Sequence, residues 1–311
     1  MAKYLIKKEF FPCSWFNPPI SKPFLRLVVP FIKVPKFIYK DKALVTTCYD
    51  VESCDGGKIR CFLFSPKERD ETTPCLIYIH GGGFVLPAGG YHYKNAMLYA
   101  KELGCKVWFI NYRLAPKYPF PVFFEDCYSA TCYLYDNAKS LGIDANQIAI
   151  GGDSAGSTLS VGVCMMARDR KHPINFLFQM LPYPFLDMRG ESESNKKYTN
   201  TPMWNSKLSR RITPFVKVDR ENSSSYLYFS PVEAKNFDYL PPAYIETAEF
   251  DCLHDDGIAY AELLKRAGVP VVINETKGTM HGFDIKQKAP TTKQALEDRI
   301  AFMRRYFKGK Q

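Results

Sequence analysis

A serine hydroxyl is a useful nucleophile only when a base takes its proton, a third group orients that base, and donors receive the charge on the attacked oxygen. One serine here sits in such a setting. Gly152-Asp153-Ser154-Ala155-Gly156 follows a short apolar run, Gln147 to Ile150, and precedes an amphipathic one, Thr158 to Met166. The pattern reads as strand, tight turn and helix, with Ser154 at the apex. Glycines on either side lack a Cβ and permit a sharp turn with helix and strand close together. The N–H of Ala155 then opens the helix, where it can face a developing negative charge.

The remaining groups occur in a workable order. His80-Gly81-Gly82-Gly83-Phe84 follows a strand ending at Ile79. Its unshielded N–H groups make Gly82 and Gly83 candidates for an oxyanion hole with Ala155. A plain glycine-rich turn is the alternative; a phosphate loop would need G-K-[ST] opening a helix, which is absent. Asp251 follows the strand Ala243–Ala248, at the sheet edge where an orienting acid must lie. Asp255 and Asp256 compete with it, and either fits an N-terminal helix cap. His281, in Gly278-Thr279-Met280-His281-Gly282-Phe283, follows the strand Val271–Asn274 and is the candidate base. His80 reads as a support for the glycine loop. His92, His172 and His254 fall in helix or turn contexts and are expected to be solvated.

These side chains need a scaffold. Leu44–Val51 and Lys58–Ser65 read as a hairpin around Cys54-Asp55-Gly56-Gly57. Cys75–Ile79 is a near-continuous apolar run, as in a buried central strand, and Cys105–Ile110 and Asn175–Leu181 are further strands. Between strands lie helices over Asn95–Leu103, Phe124–Ala138 and Asp256–Ala267. In the last helix Leu296, Ile300, Met303 and Phe307 share one face. Strands alternating with helices predict an α/β fold, a mostly parallel central sheet of about eight strands flanked by helices. Residues 185–228 are polar and break the alternation. A structureless loop of that length is improbable in a compact domain, so 185–228 is expected to be an inserted cap of short helices. Residues 1–40 are aromatic, with a second apolar run, Phe24 to Val34, broken by Pro30; lying on a membrane surface is the alternative, but short, proline-broken runs are expected to pack over the protein and join the cap. Residues 41–311 then form the catalytic domain. Trp15, Phe16, Phe24, Trp204 and Phe215 are candidates for an apolar pocket, or for the cap's own core.

Together the motifs resemble the hormone-sensitive-lipase-like family of α/β-hydrolases, which includes bacterial acetyl esterases and arylacetamide deacetylases. The resemblance rests on His80-Gly81-Gly82-Gly83-Phe84, Asn111-Tyr112-Arg113-Leu114-Ala115-Pro116 leading to Pro119-Phe120-Pro121, and Gly152-Asp153-Ser154-Ala155-Gly156. Ala248-Glu249-Phe250-Asp251 and His281-Gly282-Phe283 complete it. It implies the α/β-hydrolase fold with a helical cap over an acyl pocket, supporting roles for His80, Asp153 and Glu125, and a structural Arg113. The chain order Ser154, Asp251, His281 is that of the family. Two positions depart from it: Ser157 stands where a second glycine is common, and Cys252 where proline is usual.

Composition narrows the function. The chain has 311 residues, 46% hydrophobic and 24% charged, which supports an ample globular core. No run of about 18 apolar residues predicts a membrane span. Lys7, Lys8, Glu9 and Pro12 interrupt any signal-like apolar region. The net charge of +10 comes without a basic run of five residues, so no nucleic-acid partner is expected. Ten cysteines without C-x-x-C pairs point to buried thiols, a cytoplasmic location and no metal.

The expectation is a serine carboxylesterase for short- to medium-chain acyl or aryl esters, working through an acyl-enzyme without cofactor. Its partner is a small-molecule ester. No stable membrane insertion is expected, and a homodimer stays open. An amide hydrolase or deacetylase on the same triad is the alternative. A non-catalytic small-molecule receptor on this fold is disfavoured, because receptors of that kind lack the histidine found at His281.

Overall fold

The computed structural model describes residues 4–11, 13–67, 72–221 and 225–307; Pro12 lies outside them. Eight strands form one sheet: β1 (Leu44–Glu52), β2 (Lys58–Pro66), β3 (Thr73–Ile79), β4 (Lys106–Asn111), β5 (Ile143–Gly152), β6 (Gln179–Pro182), β7 (Ala243–Phe250) and β8 (Val271–Met280). Their spatial order is β1-β2-β4-β3-β5-β6-β7-β8. The β1–β2 hairpin and the β2–β4 pair are antiparallel; every later pair is parallel.

Helices between the parallel strands, and one after the last of them, cover both faces of the sheet. They are α1 (Gly90–Leu103), α2 (Val122–Asp136), α3 (Ala155–Asp169), α7 (His254–Arg266) and α8 (Pro290–Tyr306). The two-residue side-chain period of β3 divides the core. Cys75, Ile77 and Ile79 point toward α2, α3 and α7, while Leu76 and Tyr78 point toward α1 and α8. The face foreseen for α8, Leu296, Ile300, Met303 and Phe307, packs in the second of these layers.

Residues 185–228 contain the short helices α4 (Glu193–Lys197) and α5 (Ser206–Val216) and the start of α6 (Tyr226–Phe229). Asn205 caps α5 by accepting from the N–H of Leu208 at 3.1 Å. In the N-terminal segment Phe10, Ile20, Leu25 and Val29 are buried, and short helical turns succeed one another up to Tyr39.

Two strands differ from expectation. The strand sought at Asn175–Leu181 is regular only over Gln179–Pro182, where β6 gains β7 as its second neighbour. β8 runs past Asn274 to Met280. It is an edge strand, so polar Glu275 and Lys277 can stay on it facing water. The register of β7 and β8 shifts between Ala248 and Phe250, and the two strand ends there lead directly into Asp251 and His281.

The cysteine reading needs a partial correction. All ten cysteines are free thiols, and Cys75, Cys105 and Cys164 are buried as foreseen, but Cys48 and Cys54 are exposed. They lie on or beside the solvent-facing hairpin, outside the apolar runs. Among the described residues no helix is long and apolar enough to cross a membrane, and no cluster of side chains suits a metal ion.

Candidate active site

Ser154 sits between β5 and α3 with φ 54° and ψ −120°, a conformation that L-residues adopt only when their surroundings enforce it. The enforcement comes from close approach. A Cβ on Gly152 or on Gly156 would run into the carbonyl oxygen of Ile79 in β3. The turn is closed by hydrogen bonds from Ser154 N–H to Pro182 O (3.0 Å) and from Ser157 Oγ to Gly152 O (2.5 Å). The serine at 157, unusual for the resemblance, thus ties α3 back to the strand it follows.

His281 spans the other two groups. Its Nε2 lies 2.8 Å from Ser154 Oγ and its Nδ1 lies 2.7 Å from Asp251 Oδ2. A carboxylate only accepts, so Nδ1 carries the proton and Nε2 presents its lone pair to the serine hydroxyl. Asp251 is fully buried, and its Oδ1 accepts from the N–H of Leu253 at 3.0 Å. The rival acids are engaged elsewhere. Asp256 receives the N–H groups of Leu186 and Asp187, and Asp255 those of Ser194.

Gly82 and Gly83 line the same cavity as Ser154 and His281, together with Phe16, Tyr91, Tyr183 and Trp204. The cavity holds about 160 Å³. Both glycines have positive φ, 113° and 59°, so the loop turns in a way few other residues tolerate. Ala155 is the first residue of α3; its N–H has no partner within the helix and stands at the positive end of the dipole. The glycine loop and the start of α3 thus bring backbone N–H groups to the same cavity as the Ser154 hydroxyl.

Asp153 is buried beside the nucleophile. Its Oδ1 accepts from Tyr78 Oη (2.8 Å) and its Oδ2 from His92 Nε2 (3.0 Å). Burial pushes its pKa up, but His92, in charge and hydrogen bond, and then Tyr78 outweigh this and leave it at about 2. His92 corrects the sequence reading. It was expected in solvent, yet it is buried, and its Nδ1 accepts from the Gly89 N–H at 2.8 Å. Its place on the inward face of the first turn of α1 was the available signal, but its partner lies 61 residues away. His254 is partly exposed and hydrogen-bonded to Asp255 and Glu275, while His172 is half-buried.

His80 is fully buried and stacked on Tyr112, with ring centroids 4.4 Å apart. Its Nδ1 donates to Gly81 O at 2.7 Å. Burial, then the neighbouring His92, lowers its pKa to about 3. Arg113 binds Asp126 through its guanidinium (2.6 Å) and its N–H (3.0 Å), and Asp55 at 2.8 Å, which fixes the corner after β4. Glu125 does not support the site: it pairs with Arg170 (2.5 and 2.9 Å) on the far side of α2. Of the candidate pocket aromatics, Phe16 and Trp204 line the cavity, whereas Trp15, Phe24 and Phe215 do not.

Tyr183 is a site residue that sequence reasoning missed. Its ring meets that of His281 edge-on at 5.0 Å. Its hydroxyl donates to Asp284 Oδ1 at 2.6 Å, and Asp284 is in turn held by the fully buried Arg299 at 2.8 Å. Cys252 lies buried next to Asp251, and burial raises its pKa well above that of a free thiol, which keeps it protonated and unreactive.

A family model described as alpha/beta hydrolase fold matches residues 76–285. A carboxylesterase of Mycobacterium tuberculosis is 34% identical over 220 residues, covering 70% of this chain and 68% of its own length. An arylesterase of Saccharolobus solfataricus is 31% identical over 223 residues, 71% of each chain. Among solved structures, a bacterial heroin esterase superposes with TM-score 0.80 at 31% identity, covering 88% of this chain and 89% of its own.

Proposed function

The chain belongs to the α/β-hydrolase-fold family, on its hormone-sensitive-lipase-like branch, and is an ester hydrolase; on that premise we propose a serine carboxylesterase mechanism centred on Ser154. The observation that carries the proposal is the unbroken relay from Ser154 through His281 to Asp251, at 2.8 and 2.7 Å. In it, Ser154 Oγ attacks the ester carbonyl carbon as His281 Nε2 takes its proton. Asp251 fixes the imidazole tautomer and stabilises the imidazolium. The N–H groups of Gly82, Gly83 and Ala155 receive the oxyanion, and no charge has to be reorganised to meet it.

Collapse of the tetrahedral adduct expels the alkoxide, which leaves as the alcohol with the proton from His281. Water then attacks the acyl-enzyme with His281 again as base, releasing the carboxylic acid and restoring Ser154. Protons and electron pairs balance among these side chains and water, so the cycle calls for no cofactor. His80 and Asp153 act as supports, the first under the glycine loop and the second beside the elbow.

Residues 1–40 and 185–228 serve in this reading as a cap over residues 41–311, contributing Phe16, Met203 and Trp204 to the cavity wall. A cavity of about 160 Å³ has the volume of roughly five water molecules, so it favours acyl groups of a few carbons. The free thiols fit a reducing, cytoplasmic setting.

The test is hydrolysis of p-nitrophenyl esters from acetate to palmitate, with matched anilides alongside. Highest kcat/KM at the short esters is expected. A maximum at the long chains contradicts the small acyl site, and anilides cleaved faster than esters would make the protein an amidase.

A further inference from the structure

The large apolar side chains that this fold leaves in water are concentrated in one segment. Of fourteen that are well exposed among the described residues, nine lie between Leu5 and Phe37. The helical turns at Phe24–Phe31 show how this arises. Leu25 and Val29, four apart, are buried against the hydrolase body. Leu27 and Phe31, also four apart, are 69% and 79% exposed, and Val28 and Ile32 form a second outward row. A wide turn over Phe24–Val28 passes into a tight one over Val29–Phe31, and exposure sorts the side chains, so the segment is apolar on its inner side and again on its outer side. Trp15 and Phe37, in the same segment, are 78% and 72% exposed. Trp15, Phe31 and Phe37 each leave roughly 150 Å² uncovered at the usual size of an aromatic side chain, and large apolar groups left exposed together in one segment are the usual mark of an interaction site.

The charges in the same segment select the partner. Described residues 4–42 hold eight lysines and arginines, all exposed, against Glu9 and Asp41. Asp41 is taken by Lys101 and Glu9 receives the Thr291 N–H. Lys22, Arg26, Lys33 and Lys36 enter no ion pair among the described residues. Exposed aromatic and aliphatic groups interspersed along one segment with unpaired cations are the composition of a surface that lies in the interface of an anionic bilayer. A second copy of the chain fits less well, because a two-fold contact sets this cationic face against itself. The patch also reaches the mouth of the catalytic cavity. Phe16, half exposed beside Trp15, lines that cavity, and its carbonyl accepts from the Met203 N–H at 2.6 Å.

We propose that the outer face of residues 13–39 is a docking surface that seats the protein reversibly on anionic phospholipid membranes, with the mouth of the Ser154 cavity at the lipid boundary. No spanning helix is involved; the contact is peripheral. The docking does not depend on the catalytic reading, and binding is measured on the Ser154→Ala protein as well as the wild type, so the failure of one is distinguishable from the failure of the other.

The experiment is co-sedimentation with phosphatidylcholine vesicles, with and without phosphatidylglycerol. Binding is expected to the anionic vesicles, to weaken as salt is raised, and to be far weaker to the neutral ones. Each cation near such a surface strengthens binding about fivefold, so Lys33→Glu with Lys36→Glu should weaken it at least tenfold. Leu27→Ser with Phe31→Ser should do the same, and both pairs should keep the wild-type circular dichroism and turnover of a water-soluble ester. Equal affinity for the two vesicle types, or variants that bind like the wild type, would overturn the proposal. So would sedimentation equilibrium showing a wild-type dimer that Leu27→Ser with Phe31→Ser converts to monomer, since a second copy would then cover the face.

Discussion

Between pH 7 and pH 5 the stability contributed by one buried side chain, His80, should fall as the pH falls. In the unfolded chain a histidine takes up a proton near pH 6.5; in the folded protein burial and the nearby His92 hold His80 neutral down to about 3. Below pH 6.5 the unfolded state binds a proton that the folded state refuses, so stability falls as the pH falls and is regained as it rises. At pH 5 the unfolded group lies about 1.5 pH units below its pKa, and each unit corresponds to about 1.4 kcal/mol, so the loss is about 2 kcal/mol. The folded value lies below pH 5, so over this interval the loss is set by the unfolded group alone. The assay is urea unfolding at both pH values for the wild type and His80→Gln. The variant is expected to be less stable at pH 7, since it loses the stack on Tyr112 and the bond to Gly81 O, but to lose about 2 kcal/mol less than the wild type between pH 7 and pH 5. Equal losses in the two proteins would refute the argument that His80 is buried in its neutral form.

Two further outcomes follow from the same contacts. In Gly82→Ala the new Cβ would fall 2.6 Å from Leu86 O at a φ of 113°; the loop must move, and kcat should fall by about 10²–10³ with modest change in melting temperature. Near-normal turnover would remove Gly82 from the oxyanion site. In Arg299→Met two buried carboxylates lose their partner, Glu246 at 2.5 Å and Asp284 at 2.8 Å. Breaking a buried pair this way costs about 3–5 kcal/mol, readable as a melting temperature lower by roughly 5–8 °C in a chain of this length, and an unchanged melting curve would contradict it.

Much of this molecule can be read from local pattern, and the exceptions share a cause. Strands β3 and β4 and the Ile148–Ile150 end of β5 are apolar runs because both faces of the sheet are covered there. Elements that depend on partners distant in sequence resist such reading. Glu125 stands within a motif-rich stretch, yet its place on α2 turns it toward Arg170. His92 pairs with Asp153 across the α1–elbow junction. Tyr183 gains its position from Asp284 and Arg299, both far along the chain. The polar half of β8 looks like loop because an edge strand needs only one apolar side. Aromatics at 15, 16, 24, 204 and 215 are alike in sequence, and only their packing separates Phe16 and Trp204 at the cavity from the rest.

The central claim is that Ser154 Oγ is the nucleophile. A fluorophosphonate reagent tests it directly, since attack by a serine oxygen displaces fluoride and leaves a covalent phosphonyl ester. Mass spectrometry of the digested protein should find a single adduct, on the peptide bearing Ser154. Ser154→Ala should take up no label, and its kcat on a short ester should fall by about 10⁶. Ester turnover retained at the wild-type level in Ser154→Ala, or an adduct on another residue with Ser154 unmodified, would contradict it.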